Sequence, residues 1–177
     1  QLAYKDSSIN LSESEKLVCP VFVGTAVGGM DYAENSFHRV LQGGSSKISV
    51  YAGVAVFCAS VSSAVSMSLS LHGKSLSISN GCCSATDAIS EGFDYIKSRN
   101  GEFAICGGAD ACVTRGVLAA FCKMGVVSTN SNSDPKIACR PFDKDRDGFA
   151  LGEGAWFLVI ESFKRDKKRN ARIYAEI

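Results

Sequence analysis

One passage constrains this chain more than any other. Residues 75–79 read as a short strand, and Asn80-Gly81-Cys82 follows with no linker. Ala85, Ala88, Ile89, Gly92, Phe93 and Ile96 then recur at the spacing of one helix face. The strand must therefore turn sharply, and the helix must begin close to Cys82. Gly81 supplies the small residue that such a turn favours. A strand feeding a helix this directly is a unit of an α/β fold.

The rest of the chain repeats that alternation. Residues 17–25, LVCPVFVGT, read as a buried strand despite Pro20, and TAVGGM follows as a glycine turn. Residues 32–42 read as an amphipathic helix stopped by Gly43-Gly44. The small and apolar stretch from Gly53 to Leu71 predicts a buried helix, and Gly73 turns the chain into the strand at 75–79. Residues 102–106 and 155–161 read as further strands, and 163–170 as a short basic helical turn. STNSNSDPK, residues 128–136, is a surface loop. The sum predicts an α/β protein with a mainly parallel sheet. The polar opening and the closing run ARIYAEI, a strand with no partner after it, predict that a neighbour or further chain completes the sheet.

Composition narrows the function classes. With 177 residues, 46% hydrophobic and a net charge of +1, the chain can bury a core and lacks the basic excess of a nucleic-acid binder. No run approaches the length of a transmembrane helix, and the first residues lack the order of a signal peptide. Most of the eight cysteines sit in apolar runs such as AVFCAS and FAICGG, which predicts buried free thiols of a reducing, cytoplasmic compartment. There is no C-x-x-C and no paired Cys/His spacing, so no metal site is expected.

Cys82 is the chemical candidate. A free thiol has a pKa of about 8.5, and a helix N-terminus lowers it through the macrodipole and unpaired N–H groups. Those N–H groups can also hold the oxyanion formed when a thiolate attacks a thioester. The arrangement is a nucleophile elbow with sulfur in place of oxygen. The plain alternative is a packed structural cysteine. Cys83, read as the first helical residue, is expected to point into the core.

Five blocks carry a family resemblance. SISNGCCSATDAI is similar to the nucleophile segment of the β-ketoacyl-[acyl carrier protein] synthases, and GEFAICGGADACV to the glycine-rich strand that follows it. The run from Phe121 to Glu161 resembles the family's longest signature, VFVGTAVGG an earlier glycine turn, and ARIYAEI a strand that crosses to the second half. The resemblance implies a thiolase-like layered αβαβα fold, with residues 1–177 a partial N-terminal domain of it. It implies an acyltransferase that loads an acyl group onto Cys82, whose own N–H joins the oxyanion hole, and condenses it with decarboxylated malonyl carrier protein. Fatty acid and polyketide synthesis both fit. No cofactor is implied beyond the phosphopantetheine of the acyl carrier protein, which is the implied partner together with a same-fold subunit in a homodimer or heterodimer. Neither nucleic acid nor a membrane is implied.

Further residues are implied by the same resemblance. Phe121 matches a phenylalanine facing the acyl pocket, Val27 a residue setting pocket depth, and Ala52 a position often aromatic, while Gly81 precedes the nucleophile. Core packing is the alternative role for Val27, Ala52 and Phe121. Asn80-Gly81 stands where Thr-Ala is usual, and Gly125 where some members hold the carrier protein with a basic residue; Lys47 and Lys123 are candidate substitutes, but each reads first as an ordinary solvated lysine. The family's two decarboxylating histidines lie in later motifs that have no match here, and His38 and His72 are read as structural or surface residues. A non-catalytic chain-length-controlling partner or an acyl-binding module are the competing functions.

Two motifs imitate other sites. DKDRDG (143–148) copies the first half of a calcium loop, but its twelfth position is Gly154 instead of a glutamate. Its aspartates and Arg146 are expected to form a charge network. GTAVGG lacks the dinucleotide-binding glycine pattern.

Overall fold

The computed structural model describes residues 1–177. Four strands, β1 (Val21–Gly24), β2 (Ser75–Ile78), β3 (Phe103–Asp110) and β4 (Gly154–Glu161), form one sheet in the order β2-β1-β3-β4. β1 runs parallel to both β2 and β3, and β4 closes the sheet antiparallel to β3. The helices are α1 (Leu2–Asp6), α2 (Glu13–Val18), α3 (Met30–Gly43), α4 (Ala52–Ala55), α5 (Ala59–Leu69), α6 (Ser84–Lys97), α7 (Arg115–Lys123) and α8 (Phe163–Arg169).

The period of two along β1 and β3 sorts the core into two layers. Val21, Val23 and Ile105 face Val61, Val65 and Leu69 of α5, together with Ile9 and Leu11 of the N-terminal segment. Phe22, Ala104 and Cys106 face Ala88, Ile89 and Ile96 of α6. The sheet is thus sandwiched between helices, and β1, fully buried at Val21, Phe22 and Val23, is its centre.

Several sequence expectations change. Residues 17–25 divide into the end of α2 and a four-residue strand, because Ser12 and Glu15 form a reciprocal capping box that starts a helix. The helix expected from Gly53 to Leu71 is two helices, and within α5 only Ser62 is buried, since one face alone meets the sheet. The strand expected at 102–106 continues through Gly107-Gly108 to Asp110, because β4 pairs with all eight of its residues. ARIYAEI forms no strand, for no strand lies alongside it to accept its ladder. Of the eight cysteines only Cys19 and Cys106 are buried, and Cys82, Cys83, Cys122 and Cys139 are exposed. Position in an apolar run does not decide burial; the face presented does. No helix is long and apolar enough to cross a membrane.

Candidate active site

β2 ends at Ile78, and the next six residues make the elbow. Gly81 takes a φ of +57°, a left-handed conformation that a side chain would strain. Ser84, the first residue of α6, is buried and ties the turn: its hydroxyl donates to the Gly81 carbonyl at 2.7 Å and accepts the Asn80 N–H at 2.8 Å. Asn80 Nδ2 reaches Asp87 in the first turn of α6 at 2.9 Å. A Cβ on Gly24 would lie 2.2 Å from the Ser84 carbonyl carbon, so the start of α6 rests directly on the end of β1. Cys83 occupies the N-cap position of α6 and is exposed, contrary to the expectation that it enters the core; Ser84 takes that direction instead.

Cys82 opens into a cavity of about 420 Å³ at the C-terminal ends of β1 and β3. Its walls include Gly24, Ala26, Asp110, Glu153 and Trp156. The carboxyl ends of parallel strands are where α/β sheets place their ligands, because helix N-termini and turns converge there. Gly81 shares the cavity with Cys82, whereas Val27, Ala52 and Phe121 are not among its lining residues. Val27 and Ala52 are half-buried, and Phe121 packs edge-on against Phe149 with centroids 5.6 Å apart.

Carboxylates that the sequence did not single out hold the frame. Asp110, ending β3, accepts from Thr25 Oγ1 at 2.8 Å, Ala26 N at 2.9 Å and Val27 N at 3.2 Å. Glu34 of α3 accepts from the Thr114 hydroxyl and from Gly116 N at 3.0 Å, at the N-terminus of α7. The Thr114 bond, then the Gly116 N–H, lower the Glu34 pKa below the usual carboxylate value. Glu153 accepts the Val113 N–H at 2.8 Å. Burial first, then the charges of Asp110 and Glu153, push the Cys112 thiol up. A strand-ending acid followed by a Thr-x-x helix start is a weak signal that could have suggested Asp110 and Thr114.

The DKDRDG segment shows a charge network centred differently from expectation. Asp147 accepts from Asn130 N, Thr129 N and Ser128 Oγ, bonds led by Asn130 that lower its pKa. Its ion-pair partner is Arg140 at 3.6 Å, while the Arg146 guanidinium donates to the Asp143 carbonyl. His38 bonds Gln42 on the surface of α3, and His72 is exposed. Lys47 and Lys123 are both exposed.

A mostly parallel sheet between two layers of helices is one half of the layered αβαβα fold of the thiolase-like proteins, whose ketosynthase members superpose on it. Within them the chain belongs to the β-ketoacyl synthase family: the family described as "Beta-ketoacyl synthase, N-terminal domain" matches residues 2–165. It is 34% identical over 175 residues to 3-oxoacyl-[acyl-carrier-protein] synthase 2 of Coxiella burnetii, covering 99% of this chain and 42% of that protein. The chain thus spans about two-fifths of the length of that relative. The ishigamide ketosynthase/chain length factor superposes with a TM-score of 0.83 at 29% identity, over 94% of this chain and 40% of that one. A type II PKS ketosynthase solved with its acyl-carrier protein and bound to the hexaketide (AntDE:AntF) shares the fold, with a TM-score of 0.89 at 24% identity over 97% of this chain and 43% of that one.

Proposed function

We propose that this chain carries the acyl-accepting half of a decarboxylative condensing reaction, with Cys82 as nucleophile. The observation that carries this reading is an exposed cysteine on a glycine elbow, open to a cavity at the carboxyl end of the sheet. The Cys82 thiolate attacks the carbonyl carbon of an acyl thioester. The tetrahedral oxyanion sits against N–H groups at the start of α6, among them that of Cys82. Its collapse breaks the donor's C–S bond, and the departing phosphopantetheine thiolate takes a proton. The product is acyl-Cys82.

In the second half-reaction malonyl carrier protein loses carbon dioxide, and the carbanion attacks the carbonyl carbon of acyl-Cys82; the C–S bond to Cys82 breaks, the Cys82 thiolate departs, and a 3-oxoacyl thioester remains on the carrier protein. His38 and His72 are assigned no part in that step, because neither lines the cavity into which Cys82 opens. The acyl donor arrives on an acyl carrier protein, and the working unit pairs with a same-fold subunit. Both are in keeping with relatives solved with an acyl-carrier protein and as a ketosynthase/chain length factor. The role is in fatty acid or polyketide synthesis.

The test is direct. The complete protein is incubated with an acyl carrier-protein thioester and the adduct located by peptide mass spectrometry. An adduct at Cys82 is expected. Modification at Cys83 alone, or at no cysteine, overturns the assignment.

A further inference from the structure

We infer that Asp110 is a positioning residue that sets the geometry of the Cys82 elbow through the Ala26–Val27 peptide; this rests on Cys82 being the acyl acceptor. That peptide group is held at both of its ends. Its N–H, from Val27, donates to Asp110 Oδ1 at 3.2 Å, and its carbonyl, from Ala26, accepts from Ser79 Oγ at 3.3 Å. Ser79 is followed at once by Asn80-Gly81-Cys82. A carboxylate at the end of β3 is therefore connected by two hydrogen bonds and one rigid peptide plane to the residue that launches the elbow.

The anchor at the Asp110 end is strong. Its two oxygens also take the Thr25 hydroxyl at 2.8 Å and the Ala26 N–H at 2.9 Å, and Thr25 Oγ1 in turn accepts the Gly28 N–H at 3.0 Å. Thr25 is wholly buried, so its hydroxyl has no water to turn to. Bonds to an ionised acceptor are the stronger kind. Oδ1 faces the Thr25 hydroxyl, the Ala26 N–H at 3.0 Å and the Val27 N–H, and Oδ2 faces the Ala26 N–H, a set of donors that an acceptor-only carboxylate meets without a donor–donor contact. An asparagine would set an NH2 group against the Ala26 N–H or leave Val27 and Thr25 without their partner. Asp110 and Ala26 both line the Cys82 cavity, so a tilt of this peptide moves one wall and the elbow together.

The contribution is to acyl transfer and not to the reactivity of the thiol itself. Asp110→Asn in the complete protein is expected to slow single-turnover acylation of Cys82 by an octanoyl carrier-protein thioester about tenfold, since small misplacements of a reacting group are costly. Alkylation of Cys82 by iodoacetamide, which needs no docked acyl chain, is expected to be no slower than in the parent. Ser79→Ala cuts the other end of the connection and should slow acylation in the same direction. The double variant should be within about twofold of the slower single one, because the two changes break one link.

Wild-type acylation rates in Asp110→Asn overturn the inference, as do losses that multiply in the double variant. If Asp110→Asn does not fold, Ser79→Ala decides: slowed acylation with normal alkylation supports the link, and parental acylation ends it. Absence of any acyl adduct on Cys82 in the parent protein is a different failure. It removes the functional reading and this inference with it.

Discussion

At the scale of single residues, the two adjacent thiols divide by backbone position. Cys82 faces the cavity and Cys83 is the N-cap of α6 with no side-chain hydrogen bond. Cys82→Ser is expected to abolish the acyl adduct, because an alkoxide is far less available than a thiolate near neutral pH. Cys83→Ser should retain the adduct, and mass spectrometry of acylated protein checks both. Ser84 matters in another way. Its buried hydroxyl makes two bonds that close the elbow, so Ser84→Ala should cost about 1 kcal/mol in denaturant unfolding through the loss of its bonds to the Asn80 N–H and the Gly81 carbonyl. A reading of apolar spacing passes over Ser84, since a polar residue in an inward direction carries no periodic signal.

Between elements, the contact that counts is α6 on β3. Gly92 lies where a Cβ would stand 2.1 Å from Cys106 Sγ and 2.9 Å from Ile160 Cδ1. Alanine in place of glycine normally favours a helix by about 1 kcal/mol. Here overpacking should reverse the sign, and Gly92→Ala is expected to lose about 1–3 kcal/mol in thermal or denaturant melts. Adding Cys106→Ala removes the obstructing sulfur and should recover part of the loss. Gly92 was legible as a member of the apolar helix face. That it is a contact point, and not merely a tolerated glycine, depends on the distance between two layers that no spacing along the chain encodes.

Across the whole molecule, pH acts through groups bonded in the fold. Glu15, held by the Ser12 N–H, Glu34, held by Thr114, and Asp147, held by the Asn130 N–H, all have pKa values below their unfolded values of 4.5, 4.5 and 3.8. A lowered folded pKa contributes stability above the unfolded pKa and loses it as pH falls through the folded one. Unfolding monitored by circular dichroism should therefore become easier steadily below about pH 4.5. At the alkaline side burial pushes the thiols of Cys19 and Cys106 up to about 12 from 9.0. Their stabilising neutrality is complete below pH 9.0 and is lost as pH rises towards 12, because the unfolded chain ionises first. Alkylation followed by peptide mapping should find Cys19 and Cys106 unmodified until denaturant is added, while Cys82 and Cys83 react in the folded protein.

What the sequence determined by itself was the alternation of strands and helices, the elbow at Asn80-Gly81-Cys82 and the family to which its blocks belong. These are local: a period of two or 3.6 and a glycine at a turn are set by neighbours along the chain. The tertiary structure alone decided which cysteines are buried, that Gly53–Leu71 breaks into two helices, and that β3 runs on to Asp110 under the pairing of β4. It also decided that Asp110 and Thr25, distant in sequence, meet at 2.8 Å. Burial and hydrogen-bond partnership are relations between faces of different elements, fixed only when the layers close. The elbow could be read from one stretch of chain; the frame that aims it could not.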